Sequence, residues 1–598
     1  MALTKATYSM IEGAPINVLD YGAVGDNSTN DAAAIQAAVN ALPASGGALE
    51  FPSGKTFVIG TPINFTGKSD FSVTGFGATI RCGATRITSY LNLDGATNAT
   101  IIGLTFDQRG AQMPLYTSGD YPTPYNVGVY SQNGIAGLKV QNCTFKNLYT
   151  IGGSIRLSSN VTFSDCSFTS PAQTQDQNLQ HLNFQTSSNI RVFNCDFINA
   201  APATIATGVC GIFASGITGQ GIKIDGCNFD YCGRDNTGTH RLGVIDFYYD
   251  VDNVVVTNCV SRNTLAQFMR LSSAYGAKIS NNQIYMSANC EVDYNILSVE
   301  SGATIISGNN VECKNINIYA NHFEDPQRRT AITVGIFSYD WGAYARNINV
   351  SDNTFFNVKR SVTVLGPFSG VTIANNLHQG VSGAATGLIS SEVMPGITSI
   401  AGVESASYYD GLLISGNTIA TLGDASGILI EIPSTTALAG SFTVAHNTIS
   451  SEAVTTTGTG INIGIVSATP AANKVNVFGN TIDNFTTAFQ IRDSGVVKLE
   501  SNSIRATTNE LVQSGNYSIS RANNTFRGYD LSGSATLVAG TVVVNPADCS
   551  TGDTILLSRR SLSGTAGQLY PSSVGNGTFT ITSSSATDTS TVNWYVIH

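Results

Sequence analysis

LKVQNCTF, residues 138–145, decides how this chain is read, because the same eight-residue phrase keeps returning. It recurs as VTFSDCSF (161–168), IRVFNCDF (190–197), IKIDGCNF (222–229) and VVVTNCVS (254–261). Asparagine then takes the sixth position, as in AKISNNQI (277–284), INVSDNTF (348–355), VTIANNLH (371–378), LLISGNTI (412–419), FTVAHNTI (442–449), VNVFGNTI (475–482) and VKLESNSI (497–504). Each phrase opens with apolar residues at alternate positions, the period of a strand with one buried face. A polar corner of Asn, Asp or Gly follows, then one more apolar residue. A strand that turns a corner and continues, over and over along the chain, is the signature of a solenoid.

The sixth position carries a second message. Cys143, Cys166, Cys195, Cys227 and Cys259 all occupy it. Stacked coil over coil, they would point the same way about 4.8 Å apart, which is poor geometry for a disulfide. They read as a ladder of small buried residues, and with no CxxC pair no metal is expected. The later asparagines are expected to bond to one another and to the turn backbone, where Asn also tolerates left-handed dihedrals. Asn309 and Asn321 are too close in sequence for both to be on the ladder, and one of the two must stand off it. A second short alternation precedes each phrase: SIRL (154–157), LNFQ (182–185), VIDFYY (244–249), FMRL (268–271), ILSVE (296–300). Each coil therefore has at least two strands joined by a corner.

Composition narrows the function. The 30 Lys plus Arg against 40 Asp plus Glu give a net charge of -10, which argues against a nucleic-acid partner. No apolar run is long enough to span a membrane, so no membrane insertion is expected. The opening MALTKATYSMIEG lacks the apolar stretch of a signal peptide, so folding in a cytoplasm is expected. Asn30 reads as the N-cap of a helix, DAAAIQAAVNAL, with Ile35, Ala38, Val39 and Leu42 on one face and Pro43 as its stop. One amphipathic helix ahead of a long β array makes sense as a cap over the open edges of the first coil. After about Tyr529 the phrase stops, and short strands with Ser/Thr/Gly turns at even spacing read as a small β-sandwich. The organisation expected is an N-terminal segment and capping helix over 1–45, a parallel β-helix over 46–529 and a C-terminal β-sandwich over 530–598.

Two regions resemble a known family. INVLDYGAVGDNSTNDAAAIQAAVNAL followed by GGALEFPSGKTFVI resembles the opening of the pectate-lyase-like right-handed parallel β-helix as bacteriophage tailspikes carry it, with Asn27 where glycine is usual. FTITSSSATDTSTVNWYVI resembles a β-sandwich module that ends many phage tail fibres and assists trimer formation. The resemblance implies an all-β homotrimeric tailspike of the virion tail, assembled in the host bacterial cytoplasm. Such a spike binds and usually cleaves a bacterial surface polysaccharide: capsule, exopolysaccharide or O-antigen. Tailspikes usually carry a large N-terminal particle-binding domain, and only a short segment precedes the helix here. Attachment through a phage tail or baseplate protein is one expectation that follows. No cofactor is implied.

Fold resemblance does not transfer a site, so candidates come from position. In the strand before each corner the outward residues form a column. Counting back from the ladder places Arg156, Asn183, Asp246, Tyr248, Arg270, Ser298 and Glu300 in or near it. Asp246 and Glu300, two coils apart, would lie about 9–10 Å from each other, near the upper end of the carboxylate spacing of an inverting glycosidase. Arg270 between them could lower a carboxylate pKa or bind an acidic sugar. Asp250 is an alternative partner for Asp246, and Tyr248, His240 and Trp341 could stack on or bond to sugars. The bland alternative is a surface ion-pair ladder. Three functions compete: hydrolysis of a polysaccharide, β-elimination beside a uronate on the same fold, and a spike that binds its receptor without cleaving it.

Overall fold

The computed structural model describes residues 14–597 except 113–125, 172–179, 201–209, 237–239, 289–294, 302–312, 327–329, 337–344, 359, 366–367, 380–388, 393–407, 422–425, 434–437, 452–457, 467–473, 493–495, 515–517, 527–531, 547–548 and 550. The chain divides into two compact units, Met1–Leu377 with Gly396–Glu404, and His378–Pro395 with Ser405–His598.

In the first unit the repeated phrase does what its alternation demands. Its strands, among them Ala136–Gln141, Ser159–Ser164, Ser188–Phe193, Thr218–Asp225, Val251–Thr257 and Ala274–Ser280, pair parallel, each with its equivalent in the next coil. Leu138, Val161, Ile190, Ile222, Val254 and Ala277 share one buried row. A short strand after each corner and the alternation before each phrase stack in the same way. Strands that pair only with their equivalents one coil away make a parallel β-helix, and the connection between parallel strands is right-handed by the usual steric preference.

The corner divides its work between two residues. The fifth residue of the phrase takes the left-handed conformation: Asn142 (φ 52°), Asp165 (56°), Asn194 (50°), Asn258 (55°) and Asn281 (57°). There Asn, Asp and Gly are tolerated best. The sixth turns inward and builds the ladder, so the left-handed dihedral expected of the ladder asparagines belongs to their neighbours. Each ladder thiol donates to the carbonyl two residues before it, Cys143 to Gln141 at 3.3 Å, Cys166 to Ser164 at 3.2 Å and Cys195 to Phe193 at 3.2 Å. Burial holds the Cys143 and Cys227 thiols well above the ordinary thiol pKa, and among the described residues no cysteine forms a disulfide. The two ladders join where Asn282 Oδ1 accepts from the Cys259 amide at 2.9 Å. Beyond it Asn282, Asn321, Asn353 and Asn376 run as a continuous chain, each Nδ2 donating to the next Oδ1 at 2.9–3.0 Å. Asn321 is thus the ladder residue, and Asn309 lies outside the described residues. The eighth position stacks aromatics: Phe106, Phe145, Phe168, Phe197 and Phe229 lie with centroids 4.6–5.0 Å apart. Each such pair contributes about 1 kcal/mol beyond its burial.

At the front, the helix runs Ala32–Asn40 and buries Ala32, Ile35, Ala38 and Val39. Asp31 stands at the cap position but makes no side-chain cap bond, since its carboxylate accepts from the amides of Val24 (2.7 Å) and Gly25 (3.0 Å) in the preceding turn. Asn30 still serves the helix end by accepting from the Ala32 amide at 3.2 Å.

The second unit has the same two kinds of parallel strand, with a ladder of Asn417, Asn447, Asn480, Asn502 and Asn524. It also holds two three-stranded antiparallel sheets from Ser532–Thr536, Thr591–Ile597 and Thr554–Ser561, and from Thr541–Val544, Thr578–Ser583 and Leu569–Gly575. Their apolar faces enclose Phe579, Ile581, Val592 and Trp594, the β-sandwich expected from the alternation.

Candidate active site

The site sits on the alternation that precedes the phrase, in the first unit. Strands Ile245–Phe247, Met269–Ser272 and Leu297–Ser301 stack parallel, with Asp246 opposite Arg270 and Arg270 opposite Ser298. Inward positions on either side of these, Ile245, Phe247, Met269, Leu271, Leu297 and Val299, are buried core. One coil below Asp246, the row continues through Phe213 to Asn183. The column expected from the sequence is therefore present.

Two placements within it differ from expectation. Asp246 faces away from the core yet is 0% exposed. Arg270 folds back across it, with Nε to Oδ1 and Nη2 to Oδ2 both at 3.0 Å. The amide of Gly243 lies 3.4 Å from Oδ2. Such a two-pronged, charge-assisted contact is what offsets the cost of taking a carboxylate out of water. Tyr248, two residues along, is 38% exposed, and the guanidinium carbon of Arg270 stands 5.0 Å from its ring centroid. Glu300 is not in line with Asp246. It stands opposite Ser272, one outward position further along the strand. Two coil steps plus a two-residue offset separate the Cα atoms by roughly 12 Å, not the 9–10 Å of a straight column.

Glu300 is the half-buried carboxylate of the group. Ser298 Oγ donates to its Oε1 at 2.6 Å and Ser272 Oγ to its Oε2 at 3.1 Å. Gln267 Nε2 in turn donates to Ser298 Oγ at 2.6 Å, which fixes the direction of that hydroxyl. Burial raises the Glu300 carboxyl above the usual glutamate range, while Arg270 and the two hydroxyls oppose the rise. Burial also raises Asp246, against the pull of Arg270. Burial works against the charge of Arg270, but Asp246 and Glu300 together hold its pKa above the ordinary value. Chemically the row offers a half-buried carboxyl whose pKa is raised by burial, a fixed cation beside it, and an exposed phenol ring.

The other candidates scatter. Asp250 is exposed at a corner with φ 51°, and among the described residues no hydrogen bond or ion pair links it to Asp246. Arg156 is exposed on a row with Gln185 and Ser215. It lies three coils below the strand of Asp246, roughly 14 Å away along the axis. His240 opens the second strand of an antiparallel hairpin, Arg234–Asn236 with His240–Leu242, and its side chain lies outside the described residues. Trp341 lies outside them altogether. Sequence reasoning missed Ser272 and Gln267, since neither type stands out in a chain rich in such residues. Register alone could have found Ser272, which falls opposite Glu300.

The fold and row define a parallel β-helix with an outward-facing carboxylate–arginine group. Residues 15–113 match the family model described as rhamnogalacturonase A/epimerase, pectate lyase-like. Residues 530–597 match the C-terminal domain of the K1 capsule-specific polysaccharide lyase. None of the curated proteins compared by sequence matches the chain. Among solved structures, it is similar to a tailspike protein mutant of E. coli bacteriophage HK620 in complex with pentasaccharide. That match has 12% identity and TM-score 0.46, and covers 97% of this chain and 93% of that one. It is also similar to a DFA-IIIase from Arthrobacter chlorophenolicus A6 (12% identity, TM-score 0.42, 61% and 94% covered). A third is an endo-xylogalacturonan hydrolase from Aspergillus tubingensis (13% identity, TM-score 0.32, 71% and 95% covered). No residue role passes through likenesses at this level.

Proposed function

We propose that the chain is a phage tailspike that binds and depolymerises a bacterial surface polysaccharide, working as a homotrimer in the virion tail. The family matches at its two ends support the class: a pectate-lyase-like front and the C-terminal domain type of a capsule-specific lyase. The observation that carries the catalytic reading is Glu300, a carboxyl of raised pKa braced by Ser298 and Ser272 beside Arg270. In hydrolysis Glu300 gives its proton to the leaving glycosidic oxygen while water adds its hydroxyl to the anomeric carbon. The water's remaining proton passes to a base, a role we assign to Asp250 because it is an exposed carboxylate two residues from Tyr248, although it stands apart from the Glu300 group. Asp246 is a positioning residue in this reading, because it is enclosed and holds Arg270 in place. Arg270 takes an acidic group of the sugar and Tyr248 offers a ring for stacking.

A second reading, β-elimination, is favoured by the same Arg270, whose fixed charge could neutralise a uronate carboxylate and acidify the neighbouring C–H. Products separate the two, since elimination leaves an unsaturated sugar that absorbs in the ultraviolet and hydrolysis does not. The test is incubation with a panel of capsular and O-antigen polysaccharides, following chain length and ultraviolet absorbance together. Shortening without absorbance supports hydrolysis, shortening with it supports elimination, and no shortening of any polymer leaves a binding-only spike.

A further inference from the structure

The opposite sheet of the first unit carries a charge the chain as a whole does not. Along the outer face of the phrase strands, one register row runs Lys139, Thr162, Arg191, Lys223, Val255, Lys278 and Asn317. Lys139, Arg191, Lys223 and Lys278 are all exposed. A second row three residues back, across the left-handed residues Gly276, Asn315 and Asn347, places Tyr275, Lys314 and Arg346 in consecutive coils. Over the coils from Lys139 to Arg346, these rows and the one beside them carry Asp225 and Asp252 as their carboxylates, and Asp225 is bound to Lys223 at 3.0 Å. Cations therefore dominate this face in a protein whose net charge is -10. They are also interleaved with rings. Lys314 stands 4.7 Å from the ring centroid of Tyr275, Lys278 5.4 Å from Tyr319 and Lys223 5.2 Å from Phe193. Tyr275 is 44% exposed, so the ring itself is presented to solvent.

A β-helix repeats its surface at about 4.8 Å per coil, so the row from Lys139 to Lys278 is a straight cationic track of roughly 24 Å. Cations on four of the six coils from Lys139 to Lys278, held in one register row with the exposed Tyr275 ring nearby, match an extended, repeating polyanion whose units are flat and partly apolar. We propose that this face is a second glycan-binding surface, apart from Glu300, for acidic polysaccharide. It deepens the depolymerase reading, on which it rests for the class of partner, by naming an acidic polymer that is gripped on one sheet while the other sheet cuts. A nucleic acid fits less well, since the chain's overall negative charge repels so dense a polyanion.

The test uses the full chain and three acidic polymers, hyaluronan, polygalacturonate and polysialic acid, with neutral dextran and duplex DNA as comparisons. The variant combines Lys139→Gln, Arg191→Gln and Lys278→Gln, all exposed positions, and its fold is checked by thermal unfolding. At least one acidic polymer should bind the wild type in a salt-sensitive way, dextran should not, and the variant should bind that polymer at least tenfold more weakly. Glu300→Gln should bind it as the wild type does. Binding changed less than twofold by the triple variant, no binding of any acidic polymer, DNA bound as tightly as the glycans, or a variant that changes its subunit number with glycan binding intact would each overturn the proposal. If acidic polymers bind through this face while no polymer is cleaved, the face stands and the depolymerase reading falls.

Discussion

Arg270 closes both oxygens of Asp246, Nε to Oδ1 and Nη2 to Oδ2 at 3.0 Å each, and leaves the carboxylate with no exposed surface. This makes Asp246 the anchor of the row. Removing one partner strands a desolvated charge, so Asp246→Asn should destabilise the protein by about 3–5 kcal/mol. Replacing both, as Asp246→Leu with Arg270→Met, should cost less than the sum of the single changes. Thermal midpoints of the three variants measure this, and strict additivity would show that the pair is not coupled.

Asn321 joins two segments of the ladder. Its Oδ1 accepts from both the amide and the Nδ2 of Asn282, at 3.0 and 2.9 Å, while its own Nδ2 reaches Asn353 and the Ile279 carbonyl. Asn321→Ala takes the acceptor from two N–H groups of Asn282, the backbone amide and one hydrogen of Nδ2, at about 1–3 kcal/mol each. The other Nδ2 hydrogen keeps the Val256 carbonyl at 3.1 Å. A fall in stability of roughly 2–6 kcal/mol is expected, with loss of slow amide exchange at Asn282. Unchanged protection at that amide would mean the ladder does not carry the corner.

The raised carboxyl of Glu300 sets a sign for pH dependence. A carboxyl that holds its proton more tightly when folded favours folding below its unfolded value, about 4.3. That contribution is lost as pH rises through the folded value. Relative to wild type, Glu300→Gln should gain thermal stability as pH rises above about 4.3 and through the raised folded value. Cleavage that uses the protonated acid should decline over the same range. A wild type–variant gap that stays constant with pH would remove the raised carboxyl from the account.

Tyr248 presents its ring beside Arg270, 5.0 Å from the guanidinium carbon. If that ring stacks on sugar, Tyr248→Ala should raise KM by roughly fivefold with a smaller effect on kcat. Tyr248→Phe should keep most of the affinity. Equal losses in both variants would assign the role to the hydroxyl instead.

Particular residues show how far the sequence could be read. The row Asp246, Arg270, Ser298 was countable from the phrase, because a coil that repeats its corner also repeats every position before it. The enclosure of Asp246 was not countable: it depends on the rotamer of Arg270 and on the Gly243 backbone, neither of which alternation encodes. Glu300 was placed near the right row and off by one outward position, since the start of each strand relative to the next is set by pairing. Asn30 and Asp31 are equally good capping types, and tertiary bonds from Val24 and Gly25 take the Asp31 carboxylate, which leaves Asn30 to accept from the Ala32 amide. Asn321 could be told from Asn309 only by which of them meets Asn282 and Asn353.

The division of labour, with Glu300 reacting and Asp246 positioning, is tested most directly by single-turnover cleavage of a susceptible polysaccharide by Glu300→Gln. The expected result is a chemical step slowed by at least 100-fold in a protein that folds as the wild type does and keeps its polymer affinity. Cleavage by Glu300→Gln at the wild-type rate would contradict the account and move the reacting carboxyl elsewhere on the helix.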